Sequence, residues 1–354
     1  MKKLFCLLLA AIMVLSFCAC GGGAQVTISD NTSTSEPENK EPEILNPLTG
    51  EADITAEVLA LRPVSVMVDN DSNAQRYTQS GVSKADIVYE TETEGGITRL
   101  MCVFKDVKKA ERIGDVRSAR YVYVDLALAH NAIMVHCGKD KVFCGPHLND
   151  IDNFEIGTNY YGFREKIKNA FGWQTLFTSG KLLMEGFTKK NWKTADKNPK
   201  PWQTFAPKDE TVTLTGGAAN KITAPFNSSY ISYFDYDASI GKYVKGTNKA
   251  RDNSKKQANI DFSNKARYEF KNVIILRTPM DYYDGAKKYR RKIDLTGGNG
   301  YYAVNGTYEP IKWKKGVDAD PLTFTKADGT PLTLATGNTW VCIIKDSKDA
   351  KFEE

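Results

Sequence analysis

The sequence predicts an α/β N-terminal domain with a mixed sheet, followed by a mostly β C-terminal domain. Three observations carry this. Four runs rich in β-branched and aromatic residues, Val64 to Asp69, Ile87 to Glu92, Thr98 to Phe104 and Ala132 to His136, have strand length and turn-forming flanks. Between the third and fourth, Ser118 to His130 carries Tyr121, Val124, Leu128 and Ala129 at helical spacing. Beyond Pro207 the chain alternates short apolar segments with Gly-, Asn- and Asp-bearing turns and shows no long helical period.

Taken in order, residues 1–19 hold Lys2 and Lys3 and then an apolar run too short and too early for a spanning helix, which reads as a lipoprotein signal peptide. The run ends Ala19-Cys20-Gly21, similar to a bacterial lipobox, so Cys20 is the expected site of lipidation. Acyl chains contribute about 0.8 kcal/mol per buried CH₂ and hold a protein on the outer face of the cytoplasmic membrane without a spanning segment. Residues 20–45, rich in Ser, Thr, Asn, Glu and Pro, bury too little apolar surface to offset chain entropy and are expected to form a disordered tether.

Folding signals begin at Asn46-Pro47-Leu48-Thr49-Gly50. Glu94-Gly95-Gly96 joins the second and third strands as a hairpin, because glycine accepts the positive φ of a tight turn. Ser118 is placed as the cap of a βαβ-like crossover helix, and further helices are expected near Tyr161 to Asn169 and over Lys181 to Phe187. Lys189 to Pro207, with three prolines, many lysines and no periodicity, marks the boundary between a domain at 46–195 and one at 196–354. Strands are expected over Ser229 to Tyr236, Asn272 to Arg277, Gly300 to Val304, Glu309 to Lys314 and Thr339 to Ile344.

Composition narrows the chemistry. The 354 residues are 41% hydrophobic and 26% charged, an ordinary globular balance, with only 3 His and no HExxH, CxxC, GxGxxG or GxxxxGK[ST]. No metal or cofactor is expected. Without the signal's two lysines, 46 basic residues face 43 acidic ones, a net of +3 that implies no nucleic-acid partner. Lys242 to Lys292 is different: 15 Lys or Arg against 5 Asp or Glu suit an anionic wall polymer, lipid headgroups or a solvated face. Cys102 and Cys342 lie in strand-like runs and are expected as core residues, whereas Cys137 and Cys144 leave a disulfide or two free thiols open.

The polar residues of interest fall at the ends of predicted elements. Asp69 and Asn70 end the first strand, Glu94 and Arg99 flank the hairpin, Arg117, Ser118 and Arg120 open the helix, and His136 ends the fourth strand. With strands one, two and four parallel, all gather at one sheet edge, where open α/β sheets place ligands. Two forked guanidiniums beside a helix start would hold a carboxylate, phosphate or uronic acid. The alternative is a hydrolase or transferase pairing Asp69 or Glu94 with His136.

The segments Arg62-Pro63-Val64-Ser65-Val66-Met67-Val68-Asp69-Asn70, Ala85-Asp86-Ile87-Val88-Tyr89-Glu90, Glu94-Gly95-Gly96-Ile97-Thr98-Arg99-Leu100 and Ile113-Gly114-Asp115-Val116-Arg117-Ser118-Ala119-Arg120 resemble the YerB-type lipoproteins of Gram-positive bacteria. The resemblance spans nearly the whole mature chain, including Asn46 to Gly50 and Gly337-Asn338-Thr339-Trp340. It implies a lipid-anchored envelope protein of two domains and supplies no established activity. It also draws in Arg164, downstream of which the family tends to carry Pro-His-Asn where this chain has Phe171-Gly172-Trp173-Gln174.

Overall fold

The computed structural model describes residues 43–157, 161–249, 252–283, 290–317 and 319–354. The expected signal peptide, Cys20 and most of the tether lie outside the described residues, as do 250–251 and 284–289 of the basic stretch. The chain enters its fold at Asn46, a buried residue whose amide donates to Asp53 and Asp86.

Strands dominate. The first sheet takes β1 (Val64–Asp69), β2 (Ile87–Glu92), β3 (Thr98–Phe104), β4 (Ile133–His136), β5 (Asn153–Glu155), β6 (Gly217–Ala218), β12 (Asn272–Thr278), β13 (Gly297–Val304), β14 (Thr307–Lys315), β15 (Leu322–Lys326) and β16 (Thr339–Lys345). Its order is β6-β14-β13-β12-β16-β2-β3-β1-β4-β5, with β15 on β14. The second sheet holds β7 (Lys221–Pro225), β8 (Ile231–Asp237), β9 (Lys242–Lys249), β10 (Asp252–Ala258), β11 (Glu269–Phe270) and β17 (Lys351–Glu353), in the order β10-β9-β8-β7-β17 with β11 on β9. Both segments expected as domains, 46–195 and 196–354, contribute to the first sheet, which they share through the parallel pair β2–β16.

Every position of β1, β2 and β3 is buried, as it must be in a sheet covered on both faces. Side-chain alternation splits the core in two. Met67, Tyr89, Met101, Met134 and Val341 pack with helix α1 (Tyr121–Ala129), while Val66, Val68, Val88, Cys102 and Cys342 pack with the second sheet and helix α2 (Gly180–Lys189). Cys102 and Cys342 are thus the core residues expected of them, and all four described cysteines are free thiols.

The mixed sheet over 46–195 agrees with expectation, but the α/β alternation does not. Helix α1 leads from β3 to β4, and because β3 is antiparallel to β1 while β4 is parallel to it, these two strands run in opposite directions. The helix is therefore no βαβ crossover. Nor does it present one apolar stripe: Tyr121, Val122, Tyr123, Val124, Leu126 and Ala127 are all buried, as in a helix enclosed by core. Its cap is Arg120, in extended conformation and without a side-chain cap bond, rather than Ser118. The helix expected over Tyr161 to Asn169 is also absent among the described residues. Phe163–Arg164 instead forms a short strand against Leu176–Thr178, a tertiary pairing that overrides the local helical propensity of Arg-Glu-Lys-Ile-Lys.

Candidate functional site

Strands β1, β2 and β4 do run in one direction, since β3 lies antiparallel to both β1 and β2. Their C-terminal ends open on one edge of the sheet. In the β1–β3 register Asp69 sits directly opposite Arg99, and alternation from Met67 and Met101 sends both side chains to the α1 face. The hairpin tip reaches the same edge, with Gly95 and Gly96 at φ of 70° and 73° as the tight turn requires.

Asp69 is buried and organises the edge. Its Oδ1 accepts from the Asp71 amide at 3.0 Å, and its Oδ2 lies 3.3 Å from both Gln174 Nε2 and Arg117 Nε. Arg117 Nη1 also donates to the Trp173 carbonyl at 3.3 Å, yet a quarter of the Arg117 side chain remains exposed. Arg99 is buried and donates to the Ser118 carbonyl at 2.9 Å. Burial first, then the neighbouring Arg120 charge, bring Arg99 down to about 10, so it stays cationic at neutral pH. Beside them Asp115 is wholly buried; burial and the Asp69 charge push its carboxyl up, and its Oδ2 has no hydrogen-bond partner.

Arg120 Nε meets Glu94 Oε1 at 2.5 Å, with both side chains less than a fifth exposed. Asn70, grouped with Asp69 in sequence, belongs to a different network. Its amide donates to Glu90 Oε1 at 2.8 Å and Thr98 Oγ1 at 2.7 Å, while Gln75 and Gln79 donate to its oxygen. Glu90 itself lies between the sheets, where Oε2 accepts from Ser232 Oγ and Trp340 Nε1 and stands 4.0 Å from the buried Lys245 ammonium. An ion buried this deeply is sustained only when its lone pairs are met, as they are here.

His136 is fully buried, with Nδ1 2.9 Å from the Gly138 carbonyl and Nε2 3.1 Å from Asn153 Oδ1. Both ring nitrogens are occupied, so the imidazole offers neither to a substrate. Arg164 is exposed and donates to the Gly172 carbonyl at 3.1 Å and Thr175 Oγ1 at 3.3 Å. The edge thus unites Asp69, Arg99 and Arg117, sets Glu94–Arg120 next to them, and ties Arg164 in through the 172–175 loop.

Sequence reasoning missed several members. Asp115 and Gln174 join Asp69 only through folding, and Asp71 joins it by a local bond from its amide to the Asp69 carboxylate. Along the same edge a shallow cleft is lined by Arg120, Glu94 and Glu92 together with Asp140, Arg290 and Arg291. Arg291 Nη2 pairs with Glu92 at 2.7 Å and Arg290 Nε with Asp140 at 3.1 Å. Within the basic stretch these arginines, and Lys245 with them, are balanced by acidic partners distant in sequence, which charge counting along the chain does not reveal.

A fold that splits into matched N- and C-terminal family segments around one shared sheet defines the class. Residues 48–193 match the family described as "Protein of unknown function (DUF3048) N-terminal domain" and 222–341 its C-terminal counterpart. The chain belongs to this YerB-type family. YerB of Bacillus subtilis (strain 168) is 29% identical over 313 residues, which cover 85% of this chain and 86% of the relative. The crystal structure of the Bacillus subtilis YerB protein superposes with a TM-score of 0.73 at 26% identity, covering 88% of this chain and all of that one.

Proposed function

We propose that this chain is a lipid-anchored envelope protein, held on the outer face of the cytoplasmic membrane through Cys20, that binds or scaffolds rather than catalyses. Its ligand is an anionic group on an envelope component: a wall polymer, a lipid headgroup or a wall-assembly partner. The relative's name carries the word lipoprotein, and the Ala19-Cys20 junction supports the same anchoring. The observation that carries the binding reading is Arg117, whose guanidinium is braced by Asp69 and the Trp173 carbonyl while a quarter of the side chain stays open to solvent. A cation fixed in this way is preorganised for an anion, whereas the buried, doubly engaged His136 disfavours the acid–base alternative.

A charge-assisted bond contributes about 1.5 to 3 kcal/mol, so Arg117→Ala is expected to weaken retention on isolated cell wall or membrane extract by roughly 10- to 150-fold. Arg117→Lys restores part of it, keeping the charge and losing the fork. Unchanged retention together with a lowered melting temperature would make Arg117 a structural ion-pair member instead. For the anchor, Cys20→Ala cells fed a clickable fatty acid should lose the label and release the protein from the membrane fraction; persistent label refutes Cys20.

A further inference from the structure

Many large aromatics among the described residues are buried, Trp340, Tyr89 and Phe177 among them at 2% exposure or less. Trp173 and Phe171 are not: they are 58% and 47% exposed and stack on each other at 4.7 Å with 12° between ring planes. Their loop is nonetheless firmly held from beneath. Arg117 donates to the Trp173 carbonyl, Arg164 and Thr175 donate to the Gly172 carbonyl, the Gln174 amide closes back on Phe171, and the Gln174 side chain reaches Asp69 and Asp71. A rigid backbone thus presents an aromatic pair to solvent, with two guanidiniums bound to successive carbonyls of the same turn. Exposed Lys166 and Lys168 continue the positive charge along the approach.

We propose that Phe171 and Trp173 form a stacking platform for an acidic saccharide, deepening the binding reading above, on which it rests. The C–H face of a pyranose is apolar and carries slight positive charge, and it meets the negative face of an aromatic ring. A carboxylate or phosphate on that sugar is met by the forked donors of Arg117 and Arg164. Aromatics held in place before binding lose little freedom on contact, which is what a weak, repeated polymer ligand requires. A lipid surface would call instead for apolar side chains free to insert beneath a basic belt, whereas this turn is tied down through its backbone carbonyls.

The test is calorimetric titration of the detergent-solubilised full chain with four probes: a galacturonic acid tetramer, a neutral maltotetraose, inorganic phosphate and phosphatidylglycerol vesicles. The acidic tetramer is expected to bind more tightly than the neutral one. Trp173→Ala should weaken it about tenfold with phosphate binding unchanged, Trp173→Phe should retain most of it, and Arg117→Ala should weaken both anions. If Trp173→Ala binds the tetramer as the parent does, the platform is overturned while the Arg117 anion site stands. If the parent binds neither tetramer nor phosphate, both fall. Vesicle binding that alone depends on Trp173 would replace the saccharide with a membrane surface.

Discussion

Single residues of this protein are tuned mainly by burial. His130 shares a 2.8 Å hydrogen bond between its Nε2 and the Tyr89 hydroxyl, packs beside Trp202, and leaves its Nδ1 buried without a partner. Burial brings it down to about 4, below the 6.5 usual for histidine. Between those values the unfolded chain binds more protons than the folded one, so stability is complete above pH 6.5 and falls as the pH drops toward 4. That difference corresponds to about 3 kcal/mol at the acid end. His130→Gln should therefore flatten the decline of melting temperature between pH 7 and 4.5; parallel curves for variant and parent would show that other groups govern it. The edge arginines differ in kind. Arg99 is a buried brace, while Arg117 keeps its charge at the surface, a distinction that sequence position alone does not reveal.

At the scale of elements, strand identity was legible and strand partnership was not. Val64–Asp69, Ile87–Glu92 and Thr98–Phe104 fall where their β-branched runs placed them, and the Gly95–Gly96 turn joins the latter two. Helix α2 was also legible; Ser179 caps it through Leu182, and a Cβ on Gly180 would stand 2.0 Å from the Val107 carbonyl, so the helix start presses directly on the neighbouring turn. The Phe163–Arg164 strand was misread because its partner lies over ten residues away at Leu176–Phe177. The same blindness to long range hid the pairing of β2 with β16, reinforced by Thr91 Oγ1 donating to the Ile343 carbonyl at 2.8 Å. Residues 46–195 expressed alone leave the buried edge of β2 without β16 and are expected to aggregate or melt without cooperativity. A soluble fragment with a sharp transition would contradict this.

Over the whole molecule, the candidate site was half legible. Element ends named Asp69, Glu94, Arg99, Arg117 and Arg120 because parallel strands deliver their C-terminal ends to one edge, a rule of topology that strand direction satisfies. Asp115, Gln174, Arg290 and Arg291 escaped because only tertiary folding brings them there, two of them from the C-terminal family segment. The shared sheet also sets a schedule for biosynthesis. Ile343 lies 252 residues after Thr91, and at a translation rate of about 5 to 20 residues per second β2 leaves the ribosome roughly 10 to 50 s before its neighbour exists. For that interval a strand that is buried along its whole length in the fold has one side without a partner, so the nascent chain depends on being kept unfolded or shielded until β16 emerges. Truncation by a late stop codon would consequently damage the N-terminal half as much as the C-terminal one.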